Sequence, residues 1–240
     1  MNAGKGQGAK LSFGLLAFSI FTLACAVLFA ALGIWQLERL GWKNELVAAV
    51  ESRSTAPPSD LNNQDWSALD LTQSEYLRVS AVGQFEGVDT FTQAVTVHGG
   101  GFWTLTPLRL ADGRSILINR GFVTSAQRDA GVPRPRGEMT VTGLLRLTEP
   151  DGGFLRANDP LSGRWYSRDI AEIGASYDDL DVSPFFVDAD PSAEPYPIGG
   201  LTVLSFPNNH LVYALTWFGL TLLCLGGFGF VVRDRLRRHA

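Results

Sequence analysis

Residues 207–232 read PNNHLVYALTWFGLTLLCLGGFGFVV, a polar start followed by a long apolar run. No charged residue falls between Leu211 and Val232. A helix over those positions rises roughly 33 Å, enough to cross a bilayer. Asn208 and Asn209 precede it and can accept from the orphan N–H groups of a first helical turn. His210 follows, at the mouth of the span, with Tyr213, Ala214 and Trp217 on its own face at i+3, i+4 and i+7. An ionisable side chain at that depth is a functional candidate. The plain alternative is an interfacial imidazole bonded to a carbonyl or wetted by headgroups.

Outward from this span, a second apolar run covers residues 11–35 and is also uncharged. The chain therefore reads as a short N-terminus (1–10), a first transmembrane helix (11–35), a large middle domain (36–209), a second transmembrane helix (210–232) and a basic tail (233–240). Lys5 and Lys10 lie before the first span, and Arg233, Arg235, Arg237 and Arg238 after the second. The positive-inside rule then puts both termini in the cytoplasm and the middle domain outside. Residues 36–209 carry 14 Lys and Arg against 23 Asp and Glu, a net charge of −9. An acidic outer domain does not suit nucleic acid.

Both cysteines, Cys25 and Cys224, fall inside the spans, so no disulfide staples the outer domain and its core must stabilise it alone. Ala24, Cys25 and Ala26 mimic a signal-peptidase site, but the apolar run continues to Ile34, which points to an uncleaved anchor. The N-terminus is short and poor in Arg, unlike a mitochondrial transit peptide; a two-pass protein of a bacterial inner (cytoplasmic) membrane with a periplasmic domain is expected.

After the first span the chain continues as GIWQLERLGWKNELVAAVESR, with only Gly41 against helix, until TAPPSD (55–60) breaks it. Trp35 and Trp42 fit an interfacial belt, and Arg39 can snorkel or meet headgroups. Residues 62–75 pattern weakly, with room for a short helix. YLRVSAVGQFE (76–86) alternates as a strand, with Gly83 as an expected bulge. Residues 90–97 are rich in β-branched side chains. Gly99, Gly100 and Gly101 are expected to form a flexible loop, and no phosphate-loop Lys-Ser/Thr follows them. The clearest hairpin joins GFWTLTPLRL to SILINRGFV through Asp112 and Gly113. Pro107 within it argues for an edge position or bulge. A polar loop is expected over 124–138, then a strand MTVTGLLRLTE, a short helix IAEIGA and a strand PFFVDAD. The expected class is a membrane α+β protein: two transmembrane helices flanking a β-rich extracytoplasmic domain, a partly closed antiparallel barrel or sandwich with side helices.

Catalytic signatures are missing. His98, His210 and His239 are scattered, and there is no CxxC, HxxxH or GxSxG. Asp178, Asp179 and Asp181 resemble part of a calcium loop but lack its Gly and closing Glu, and read as a solvated turn. Arg120, at a strand end, suits a carboxylate or propionate, or a surface pair. His210 remains: one neutral imidazole beside aromatic residues can serve as an axial ligand to heme iron.

LGIWQLERLGWK, LTPLRLADGRSILINRGFV and NNHLVYALTWFGL, in this order and spacing, resemble the surfeit-locus-one family of cytochrome c oxidase assembly factors, in its bacterial branch. The resemblance extends from the first span to near the end of the chain. It implies a non-enzymatic role in building heme–copper oxidases: binding heme a at the outer membrane interface and aiding its delivery to the oxidase large subunit. By that likeness His210 is the heme iron ligand and the metal-binding residue. Trp35, Gln36 and Arg39 match the first block, and they join Tyr213 and Trp217 as cofactor-binding candidates. Implied partners are the large subunit, heme A synthase and the lipid bilayer; since one helix offers a single ligand, the second axial position would be open, or filled from a partner or from another copy of the chain. The alternative is a heme-free membrane scaffold that stabilises an oxidase assembly intermediate.

Overall fold

A computed structural model describes residues 13–150, 156–204 and 206–239. The N-terminal segment 1–10, the first two residues of the expected first span, and part of the loop after β6 lie outside the described residues. The chain divides into two compact units: residues up to Val47 with those from Phe206 onward, and residues Ala48–Ser205.

The first unit is built on two helices, each long and apolar enough to cross a membrane. Helix α1 runs Phe13–Thr55, well past the expected end of the span at Trp35. Gly41 does not interrupt it, since a lone glycine costs a helix only about 1 kcal/mol. It ends where Pro57 and Pro58 withdraw backbone donors. Helix α5 runs His210–His239. On α1 the residues Thr22, Ala26 and Gly33 are buried while their neighbours Phe21, Val27 and Ile34 are exposed. With Phe29 and Gln36 they form a heptad-like stripe of mostly small side chains. Ala214 is the matching buried residue on α5, and Phe29 stacks on Trp217 with centroids 5.6 Å apart. Gly33 lies under the Phe218 ring; a Cβ there would fall 2.6 Å from it.

The second unit is a barrel. Strands β1 (Ser59–Asp60), β2 (Arg78–Phe85), β3 (Thr90–Thr96), β4 (Gly99–Arg109), β5 (Arg114–Val123), β6 (Glu138–Leu147) and β7 (Asp181–Ala189) form one sheet in the order β1-β2-β6-β7-β5-β4-β3. A short β2–β4 pairing, Gln84 with Arg109 and Phe85 with Leu108, closes β2, β6, β7, β5 and β4 into a ring. This partial closure pairs the five ring strands on both sides and leaves β1 and β3 as the outer edges. The ring is mostly antiparallel, as expected, with one parallel seam between β5 and β7.

Alternation along the strands separates two cores. Val79, Ala81, Phe85, Leu108, Ile116, Ile118, Leu145, Phe185 and Val187 fill the interior. Leu105, Leu117 and Phe186 point outward and are covered by Trp165 and by Ile170 and Ile173 of helix α4 (Ile170–Gly174). Strand β5 is thus buried on both faces, which explains its nearly unbroken apolar run.

Four local expectations change. Gly99, Gly100 and Gly101 are not a loop but the start of β4, paired with β3. Gly101 is small because the Phe122 ring lies where its Cβ would be, 2.5 Å away. Gly83 is no bulge: it sits in regular register opposite Met139, and its bare backbone admits the Arg109 carbonyl where the barrel closes. Pro107 is on neither outer edge. It lies where β4 leaves β3, whose ladder ends at Leu105, and meets β2, so its missing N–H is not needed there. The polar stretch after β5 contains helix α3 (Ser125–Ala130), started by a capping box in which Thr124 and Gln127 satisfy each other's backbone N–H groups. The short helix in 62–75 is α2 (Leu71–Ser74), capped by Asp70.

Candidate functional site

Helix α5 begins as its sequence requires. The Asn209 carbonyl accepts from Tyr213, and the Asn208 side chain accepts from the His210 N–H at 3.4 Å. Asn208 also donates to Asn44 on α1 at 2.9 Å, so the cap is itself held by the other helix. The next residue, half-buried His210, has its Nδ1 2.7 Å from Oε1 of Gln36. An amide oxygen only accepts, so Nδ1 is the donor in this bond, and in the neutral ring that tautomer leaves the Nε2 lone pair free. The same arrangement orients metal-binding histidines: one ring nitrogen is tied to a fixed acceptor and the other is left free to ligate.

Two of the expected site residues, His210 and Gln36, are therefore brought together across the helix pair. Trp217 is on the same side of α5 and stacks on Phe29. Trp35 and Tyr213 are half-exposed, at 50% and 55%. Arg39 is exposed and lies over the Trp42 ring at 4.6 Å. None of these three takes part in the Gln36–His210 bond. Lys43 lies over Phe206 at 5.8 Å, a second cation at this level of the helix pair. An imidazole tied through Nδ1, aromatic rings on both helices, and Arg39 and Lys43 farther along the helix that carries Gln36 are side-chain types compatible with a heme carrying propionates. The sequence reading missed Phe29, Gly33 and Asn44. The spacing of Thr22, Ala26, Phe29, Gly33 and Gln36 was the available signal.

The remaining candidates resolve differently. Cys25 and Cys224 are free thiols. His98 is exposed, with its ring 6.1 Å from that of Phe122. Among the described residues no group of three or more His, Cys, Asp or Glu is placed to hold a metal ion, and Asp178, Asp179 and Asp181 are exposed. Arg120 does not make a surface pair: its side chain is only 8% exposed, because alternation on β5 turns it into the barrel end over the Phe85 ring.

The sequence reading also missed a charge network on the outer face of the barrel. Asp188, 7% exposed, accepts from Asn119 at 2.7 Å, Arg146 at 2.9 Å, Arg168 at 3.2 Å and Thr202 at 2.8 Å. Glu149 pairs with both arginines. Burial works to lower the Arg146 pKa, but the charges of Asp188, Glu149 and Glu75, with Tyr76, hold it above the ordinary value. Through Thr202 the network ties the segment that approaches α5 to the barrel wall.

The SURF1 family model matches residues 23–222. A SURF1-like protein of Caenorhabditis elegans is 32% identical over 93% of this chain and 76% of its own length. A SURF1-like protein of Monosiga brevicollis is 31% identical over 95% of this chain and 89% of its own. Surfeit locus protein 1 of Mus musculus is 34% identical over 79% of this chain and 67% of its own. A match that runs from within α1, through the whole barrel and into the first part of α5 shows that this chain belongs to the SURF1 family.

Proposed function

We propose that this protein is an assembly factor for a heme–copper cytochrome c oxidase that binds heme a at the outer membrane interface and aids its delivery to the oxidase large subunit. The observation that carries the reading is the Gln36–His210 hydrogen bond, which holds one imidazole at a span boundary with Nε2 free. Heme a would supply a ligatable iron and an apolar tail that stays in lipid while the iron sits at the interface. His210 would hold the iron, Trp217 and Phe29 would shield the porphyrin face, and Arg39 and Lys43 would meet propionates. A single neutral ligand suits a site that must release its cargo. The helices would place both termini in the cytoplasm of a bacterial inner membrane and the barrel in the periplasm, where it would dock on the large subunit or on heme A synthase.

The test is purification from cells that make heme a. A Soret band that co-purifies with the protein and disappears in His210→Ala is expected. An equal band in that variant would overturn heme ligation by His210 and leave the heme-free scaffold.

A further inference from the structure

We propose that the open end of the barrel is a binding site for a small apolar carboxylate, with Arg120 as its cationic floor. The inference concerns the barrel alone and does not depend on heme binding at the helix pair.

A cavity of about 290 Å³ opens at the end of the barrel where β2 stops and β6 starts. Phe85, Ile118, Met139 and Val141 line it from inside the ring, and Pro197 lines it from the segment after β7. Small-molecule sites occupy roughly 300–1,000 Å³, are mostly apolar and carry a few placed polar groups. This one falls just below that range, the size of a compact organic acid rather than a porphyrin.

Arg120 gives the cavity its sign. Its side chain is 8% exposed and lies 3.9 Å from Asp89. Asp89 is more closely engaged elsewhere, with Arg134 at 2.9 Å and Thr106 at 2.7 Å. Two guanidinium groups thus face one carboxylate, and the Arg120 Nη1 is buried without a hydrogen-bond acceptor. Burial, joined by the neighbouring Arg134 charge, lowers the Arg120 pKa against the pull of Asp89. A desolvated cation with half a counter-charge is stabilised by an incoming anion. Of the acidic residues at the rim, Asp190 is neutralised by Arg78 at 2.5 Å and Glu194 is exposed to solvent. Positive potential is therefore confined to the inner end. A ligand with an apolar body and a carboxylate head fits with the head inward, its body against Phe85 and Met139.

The probe is 4-phenylbutyrate, titrated calorimetrically into the full chain in lipid nanodiscs, with 4-phenylbutyramide as the neutral isostere. Saturable one-to-one binding is expected. The amide, and the acid with Arg120→Gln, should each bind about tenfold more weakly, the loss of one charge-assisted hydrogen bond. Met139→Trp fills the mouth, leaves Arg120 in place and should abolish binding; it keeps the test decisive where Arg120→Gln fails to fold. Absence of saturable binding, equal binding of acid and amide, or unchanged binding in either folded variant overturns the site. Oleate doped into the nanodisc separates the sources: competition assigns the site to lipid-derived acids, no competition to soluble ones, and both uphold a carboxylate site.

Discussion

At the scale of single residues, polar groups decide which apolar surfaces become sites. Gln36 is half-buried on α1, and its amide oxygen selects the donor nitrogen and rotation of His210. Gln36→Leu keeps the size and the helix but releases the ring. Heme a retention should then fall about tenfold or more, as when an outer-shell partner of a metal ligand is lost. The ratio of Soret to protein absorbance in the purified variant checks this, with circular dichroism confirming unchanged helix. Asp188 is the counterpart in the barrel. Asp188→Ala would leave Arg146 and Arg168 sharing Glu149, with Glu75 3.8 Å from Arg146 alone, and removing one member of a buried charge set costs about 3–5 kcal/mol. Urea unfolding of the variant should show a loss of that order.

At the scale of elements, close approach and capping set the geometry. Helices α1 and α5 meet where Gly33 makes room for Phe218. Gly33→Leu places side-chain atoms inside that ring. A loss of roughly 1–3 kcal/mol is expected from overpacking, read as a lower thermal midpoint in detergent, with weaker heme retention because Gln36 is one turn away. Helix α3 depends on its cap rather than on a buried face, since it buries none of its residues. Thr124→Ala should destabilise the barrel unit by about 1 kcal/mol, measured by the denaturation midpoint.

At the scale of the whole molecule, the division into a helix pair and a barrel has a consequence for stability. The barrel unit contains no cysteine and carries two buried clusters of its own. Residues 48–205 expressed without the spans should unfold in one cooperative transition. The midpoint should be the same with and without dithiothreitol; a reductant-dependent midpoint or a non-cooperative melt would contradict a self-sufficient core.

Much of this was determined by the chain alone. Two uncharged runs, a basic tail and short alternating segments around Asp112 and Gly113 specify two apolar helices flanking a β-rich domain, because length, charge and period are local properties that no fold can alter. His210 stands out as a candidate by its place at the mouth of a span, whereas Gln36 is named only through the family resemblance. Their hydrogen bond could not be read from the chain, nor could the ring closure through Phe85 and Leu108, the burial of Arg120 or the gathering of Asp188, Arg146 and Arg168. Each of these joins residues far apart in the chain, and such pairings follow from register and the meeting of faces, which tertiary packing alone decides.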